Sequence, residues 1–587
     1  MKWNLEYLYK TKEDFLKDFD ELKKLADSFK DYQGKLNQEE MFKEYYLKQI
    51  ELELKLGKVY EYVALKSDLN KKDLEGLSDL SNVEQLFFKL NQDTAFESPE
   101  VLEIGYDKVM GFINNNKELE QFRFPMEKLF RKAKYTLSKE EEKLLSICDP
   151  SMSSGGELYS MLAVSDGKVK EVVLSDGTKV KVTQGNWPSL IQDSKCEEDR
   201  KVIFEALYET YDNHKNTFAS IYKNVMESCK ATMLAKGYPT ILDSFLYSNN
   251  IPTEVYYTLV KNAGEKNDSL KKYLKLRKEY LGLSEYHTYD RFLELAKSNT
   301  KYSFEEGKDI FFKSIEKFPE DFKKKAKEAL EDGFVDVYES DGKRTGAYSS
   351  SQANLHPFIL LNYTDTLDDV FTLAHEAGHS MHSLYAMESN PVVLQGYTIF
   401  VAEIASTFNE HVLLDYLMST GKLSKDEKIC LLQKAIDNIV GTYYRQTLFA
   451  EYELIVSKKV EQGEPITYQT LSNVMLELYN KYYGLDITKE KVKEFVWAYI
   501  PHMFYTPFYV YQYATSFAAS FAIYENICKN KPNAFEKYVG LLKAGGSKYP
   551  IEEALEAGID FTKKETFEAV TNRMDELVSE LEKLLKQ

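Results

Sequence analysis

Two histidines four residues apart, in the run His375-Glu376-Ala377-Gly378-His379, place the tightest constraint on what this chain can fold into. Residues at that spacing stand one turn above each other in a helix, so both imidazoles reach one cation only if the run is helical and that face stays open. Glu376, beside the first histidine, is then placed to take a proton from an activated water and hand it to a leaving amine. The flanks agree with a helix. Asp365-Thr366-Leu367-Asp368-Asp369 offers a threonine with an acid three residues later, an N-cap signal, and Val370, Phe371, Leu373, Ala374, Ala377, Met381 and Leu384 follow at helical apolar spacing. The histidine pair is expected to start in the second turn of that helix.

A catalytic zinc ion takes three protein ligands and keeps one position open, so a further ligand must come from elsewhere. Glu403 is the best candidate, 24 residues beyond His379 in a stretch rich in Ala, Phe and Ile that reads as a second buried helix. A carboxylate buried there is costly unless it is paired or bound to metal. Glu410, two turns later on the same face, reads as the partner that orients a ligand histidine through a hydrogen bond, with a surface salt bridge as the alternative. His382 and His411 are rival ligands. His382 lies one turn past His379, too far along the axis, and reads as a histidine that packs or supports the site, while His411 points about 100° away from Glu410.

The segments Gly346-Ala347-Tyr348-Ser349-Ser350, His356-Pro357-Phe358-Ile359-Leu360-Leu361-Asn362-Tyr363 and Val370-Phe371-Thr372-Leu373-Ala374, leading into the histidine motif and on through Glu403, resemble the thimet oligopeptidase (M3) family of metallopeptidases. Within it the bacterial oligoendopeptidase F group is the nearest, and the order of segments fits over essentially the whole chain. The resemblance implies one Zn²⁺ per chain held by His375, His379 and Glu403, with Glu376 as general base. It also implies a mainly α, two-lobed body with a deep channel that admits short peptides.

At 587 residues the chain exceeds the size at which one hydrophobic core keeps growing, so two or more lobes are expected. Its net charge of −18 and the lack of a dominant basic patch argue against nucleic acid or an anionic membrane as partner. Met1-Lys2-Trp3-Asn4-Leu5-Glu6 does not read as a signal peptide, and five scattered cysteines without a C-x-x-C pair suit free thiols in the cytoplasm. A monomer or weak homo-oligomer is expected.

From Lys12 to Gln92 the chain is Pro-free and Lys-, Glu- and Leu-rich, which predicts helical hairpins. Alternating runs across 169–182 about Asp176-Gly177 predict a β-hairpin. An N-terminal helical lobe over 1–200 and a catalytic region over 201–587 follow. Phe334-Val335-Asp336-Val337-Tyr338 and Phe358–Tyr363 read as strands of a small sheet beside the motif helix, whose edge could pair with an extended peptide. His287 reads as structural.

Thirty residues from Phe495 to Tyr524 carry no charge, long enough to span a bilayer, but Pro501, His502, Pro507 and six tyrosines point to a buried helix lining a wet cleft instead. Hydrolysis of a peptide bond develops an oxyanion, and His502, Tyr505, Tyr509 and Tyr513 are candidate donors to it or to the substrate. By the resemblance, a histidine and tyrosines of this block do so, with Tyr509 the nearest match and His502 as the histidine. The expected function is a zinc endopeptidase of short oligopeptides. A zinc carboxypeptidase or dipeptidyl carboxypeptidase, or a non-catalytic peptide-binding protein, are the alternatives.

Overall fold

Reciprocal capping boxes start many of the helices, at Thr11 with Asp14, Ser303 with Glu306, Thr366 with Asp369 and Ser424 with Glu427, each satisfying backbone N–H groups that the first turn leaves open. The computed structural model describes every residue except Lys195, and for Lys139 the backbone alone. The chain is mainly helical. The expected N-terminal helices run Lys12–Asp27, Glu39–Leu69 and Leu74–Asp93. The expected hairpin pairs β1 (Lys170–Val173) with β2 (Lys179–Val182), and Gly177 takes φ 85° at its turn.

Two compact units divide the chain, each assembled from three segments. The first comprises Met1–Lys134, Asn299–Ser419 and Ile523–Ile559; the second comprises Tyr135–Ser298, Thr420–Ala522 and Asp560–Gln587. The boundary expected near residue 200 therefore falls inside the second unit, within the helix Glu197–Asn213. Residues 1–134 belong with the motif helix rather than to a lobe of their own.

Contacts across more than 250 positions explain that grouping. The Trp3 indole N–H reaches the carbonyls of Ile359 and Phe334 at 2.9 and 3.2 Å, and Asp68 accepts from the Tyr348 hydroxyl at 2.7 Å and from Arg344 at 3.1 Å. These bonds tie the N-terminal helices to a three-stranded sheet of order β3-β5-β4, formed by β3 (Val335–Asp336), β4 (Tyr348–Ser350) and β5 (Phe358–Leu360). The central strand β5 runs parallel to β3 and antiparallel to β4, and its side chains are fully buried. Sequence reading anticipated β3 and β5. It missed β4, whose Tyr-Ser-Ser carries no apolar alternation.

In the second unit, large buried tyrosines such as Tyr208, Tyr222, Tyr256 and Tyr443 fill the core between long helices, among them Lys215–Lys236 and Arg445–Glu461. The uncharged segment is not one helix there. It breaks into the turns Val496–Tyr499 and His502–Tyr505 before the helix Tyr511–Cys528. Pro501 and Pro507-Phe508 mark the breaks, because proline lacks the N–H a continuing helix needs, and Phe508 adopts φ 57°. Among the described residues no helix is long and apolar enough to cross a membrane.

Candidate active site

The motif occupies the helix Leu367–Ser389, capped by Thr366 and Asp369 as the sequence predicts. His375 is its ninth residue, so the histidine pair starts in the third turn rather than the second. The next helix, Ile399–Ser419, carries Glu403 and Glu410. Both lie in the first unit. They approach closely because Gly378 has no side chain: a Cβ there would lie 2.6 Å from the Ala405 carbonyl oxygen and from Ser406 Cα. Asn409, 1% exposed, fastens the pair by donating to the Ala374 carbonyl at 3.0 Å.

Three donor atoms converge where the helices meet. His375 Nε2 lies 3.2 Å from His379 Nε2, and both lie 3.4 Å from Glu403 Oε2. His375 Nδ1 faces Glu410 Oε1 at 2.6 Å, so the ring donates its Nδ1 proton there and turns the Nε2 lone pair toward the cluster. Two imidazole nitrogens and a carboxylate facing one another are held together only by a proton or a metal ion among them. The separations also match about 3.3 Å, the donor–donor distance around a tetrahedral ion with ligand bonds of about 2.0–2.1 Å. The residues thus fit a metal ion of the zinc type.

The electrostatics show how strongly the three groups interact. Burial opposes a charge on His375, yet hydrogen bonds to Glu403 and Glu410 outweigh it and hold its pKa well above the ordinary histidine value. Burial likewise pushes the Glu403 carboxyl up, but the two imidazoles overcome it and keep the group well below the usual carboxylate range. Ser406 Oγ donates to Glu403 Oε2 at 2.9 Å and fixes its orientation. Glu376 is 6% exposed, and burial raises its pKa against the pull of both histidines, which suits a group that must accept and then release a proton.

His382, read from sequence as a packing or supporting histidine, is fully buried with its ring stacked on Tyr397 at 3.7 Å, and burial drives its pKa down to about 3. It stays neutral and takes no part in the donor cluster. His411, the other rival, lies against Tyr524.

In the second unit His502, Tyr509 and Tyr513 form one aromatic group, with ring centroids 6.0 Å apart for His502 and Tyr509, 6.4 Å for His502 and Tyr513, and 5.5 Å for Tyr509 and Tyr513. Burial lowers the His502 pKa and favours the neutral ring. Tyr505 is separate: it packs edge-on to Tyr159 at 5.5 Å and is 47% exposed.

A model of peptidase family M3 matches residues 190–573, and one described as oligopeptidase F matches residues 100–168. The chain belongs to peptidase family M3. Over 587 residues this M3 peptidase is 35% identical to oligopeptidase PepF of Bacillus subtilis, covering 99% of this chain and 87% of that one. It is 33% identical over 590 residues to an oligoendopeptidase F homolog of Borreliella burgdorferi, covering 100% and 98%. The crystal structure of oligoendopeptidase-F from Enterococcus faecium shares its fold with a TM-score of 0.76 at 27% identity, covering 98% of this chain and 99% of that one. The M3 peptidase is accordingly a metalloendopeptidase of the oligoendopeptidase F type.

Sequence reading gave no role to several residues that shape this M3 site. Gly378, Asn409 and Ser406 act on how the two helices meet. Ser349 and Ser351 bond Ser380 and Ser383 at 2.9 and 3.0 Å and seat β4 on the motif helix. Buried Glu61 from the helix Glu39–Leu69 accepts from Ser350 at 3.0 Å. Only the glycine inside the motif could have signalled a close helix approach.

Proposed function

We propose that this peptidase cleaves internal bonds of short oligopeptides with one Zn²⁺ held by His375, His379 and Glu403 and with Glu376 as general base. The convergence of those three donor atoms within 3.4 Å, with buried Glu376 on the adjoining turn, carries the reading. A zinc ion bound there supplies Lewis acidity, polarising the scissile carbonyl and making water nucleophilic at neutral pH.

The chain's own residues do the rest. The Glu376 carboxylate takes a proton from the attacking water and returns it to the leaving amine. Its burial favours the protonated form between those two transfers. Glu410 holds the His375 ring in the tautomer whose Nε2 is free to donate its lone pair. His502, Tyr509 and Tyr513 supply donors to the substrate and the developing oxyanion, each worth about 3 kcal/mol in the transition state; Tyr505, which stands apart from that group against Tyr159, contacts substrate on its own. The outer strand β4 of the sheet pairs with extended peptide backbone, which recognises any sequence. Five free cysteines support a cytoplasmic setting.

A decapeptide blocked at both ends tests this by mass spectrometry with zinc-loaded and chelator-stripped enzyme. Metal-dependent internal cuts are expected. An intact blocked peptide beside trimming of an unblocked one would reassign the enzyme as an exopeptidase. Glu376→Gln should lower kcat by about 10²–10⁴-fold while zinc stays stoichiometric by elemental analysis.

A further inference from the structure

A cavity of about 380 Å³ in the second unit is lined by Arg291, Arg445, Tyr286, Tyr479, Tyr483 and Asp437, among others, none of which the peptidase chemistry uses. Two guanidinium groups facing one cavity call for counter-charge. The Arg291 guanidinium lies 4.5 Å from the Phe292 ring centroid and 5.8 Å from that of Trp187, and Arg445 lies 5.0 Å from that of Phe449. Neither makes a hydrogen bond or ion pair among the described residues.

The acids nearby are committed elsewhere. Asp437, on the cavity wall, lies within electrostatic reach of Arg291 and Arg277, but its hydrogen bonds come from the Tyr273 hydroxyl at 2.7 Å and Gln433 at 3.3 Å and its burial disfavours its charged form. Glu490 accepts from the backbone N–H and hydroxyl of Thr288 at 2.7 and 2.6 Å and lies within electrostatic reach of Lys493, which is 3% exposed and whose charged form burial, Arg445 and Arg291 all disfavour. The wall tyrosines cannot compensate, because burial raises the pKa of Tyr479 and Tyr483 and keeps their hydroxyls neutral. Arg291 is destabilised as a cation by burial first and then by the charge of Arg445. Both side chains are half-buried, and like charges brought together at a cavity partly shielded from water repel unless an anion joins them; guanidinium groups that face a cavity without a protein partner are open to a water, ion or ligand.

We propose that this cavity is a binding site for a small organic oxyanion, its carboxylate or phosphate received between Arg291 and Arg445 and its body lying against Tyr479 and Tyr483. Guanidinium forks match both oxyanions with paired hydrogen bonds. Tyr479 and Tyr483 stack on each other at 5.3 Å and 21°, giving the wall a flat aromatic face. The site lies outside the donor cluster, and the inference stands independently of the peptidase mechanism.

Isothermal titration of the full-length enzyme with phenyl phosphate, inorganic phosphate and benzoate, each at constant ionic strength in chloride, tests it. Saturable binding of one equivalent of phenyl phosphate or benzoate is expected, with the stronger of the two identifying phosphate or carboxylate as the natural group. Arg291→Met and Arg445→Met should each weaken it at least about tenfold. Arg445→Lys, which keeps the charge and thereby the fold but loses the fork, should also weaken it and covers the case in which a methionine variant unfolds. No saturable binding of any probe, binding unchanged in Arg445→Lys and Arg445→Met, or displacement by chloride at the same ionic strength would overturn the assignment.

Discussion

Glu410 touches no substrate in the proposed chemistry, yet its carboxylate at 2.6 Å decides which His375 nitrogen carries the proton. Glu410→Gln or Glu410→Ala should weaken zinc binding about 10–100-fold in a chelator competition, since losing a partner that orients a ligand acts through affinity; unchanged affinity would reduce Glu410 to a packing residue. Glu453 holds a second key position. Buried at 1% exposure, it accepts the Phe508 N–H at 2.8 Å and so steadies the left-handed backbone, φ 57°, directly before Tyr509. Burial pushes its carboxyl up to about 8, only partly opposed by the Phe508 hydrogen bond. Between the ordinary carboxylate value and about 8 the folded chain holds a proton that the unfolded chain releases, so this stabilisation is full at low pH and lost as pH rises through that window. Glu453→Gln keeps the acceptor without the titration. Its Tm relative to the parent should climb from pH 5 to pH 8, and parallel melting profiles would contradict the protonated carboxyl.

Helix against helix, the site depends on one missing methyl group. Gly378→Ala would force a Cβ into the Ala405–Ser406 backbone, which cannot rotate away as a side chain would. Overpacking of that kind costs about 1–3 kcal/mol. The larger effect should fall on function, because moving the Ile399–Ser419 helix outward carries Glu403 off the two histidines. Loss of stoichiometric zinc with a fold still intact by circular dichroism is expected; wild-type zinc content in Gly378→Ala would show that the two helices do not need this close approach. The motif helix was legible beforehand because its cap, its apolar spacing and its histidine spacing are all local and share one period. β4 was not, because three polar residues become a strand only when β5 and the N-terminal helices offer partners.

The unit that holds the donor cluster draws on residues from both ends of the numbering, with Trp3 bonded to Phe334 and Ile359 and Asp68 bonded to Arg344 and Tyr348. A fragment of residues 201–587 should therefore fail to fold cooperatively or retain zinc, and supplying residues 1–134 as a separate chain should restore part of both. A soluble, zinc-loaded 201–587 fragment with a sharp melting transition would show that the N-terminal helices are dispensable.

Sequence alone picked out the candidate donors His375, His379 and Glu403, the candidate base Glu376 and the helix that presents the motif, because a metal site on consecutive helical turns is written in spacings of four residues and in the chemical oddity of a carboxylate in an apolar run. The helical class and the β-hairpin at Gly177 were settled the same way, by periodicity and turn chemistry. Tertiary structure decided the rest: which segments share a unit, how closely Gly378 lets two helices approach, that Tyr505 parts from His502, Tyr509 and Tyr513, and that Arg291 and Arg445 face one cavity. Such features arise from contacts between residues tens to hundreds of positions apart. They leave no period in the chain and come into being only when its distant segments pack.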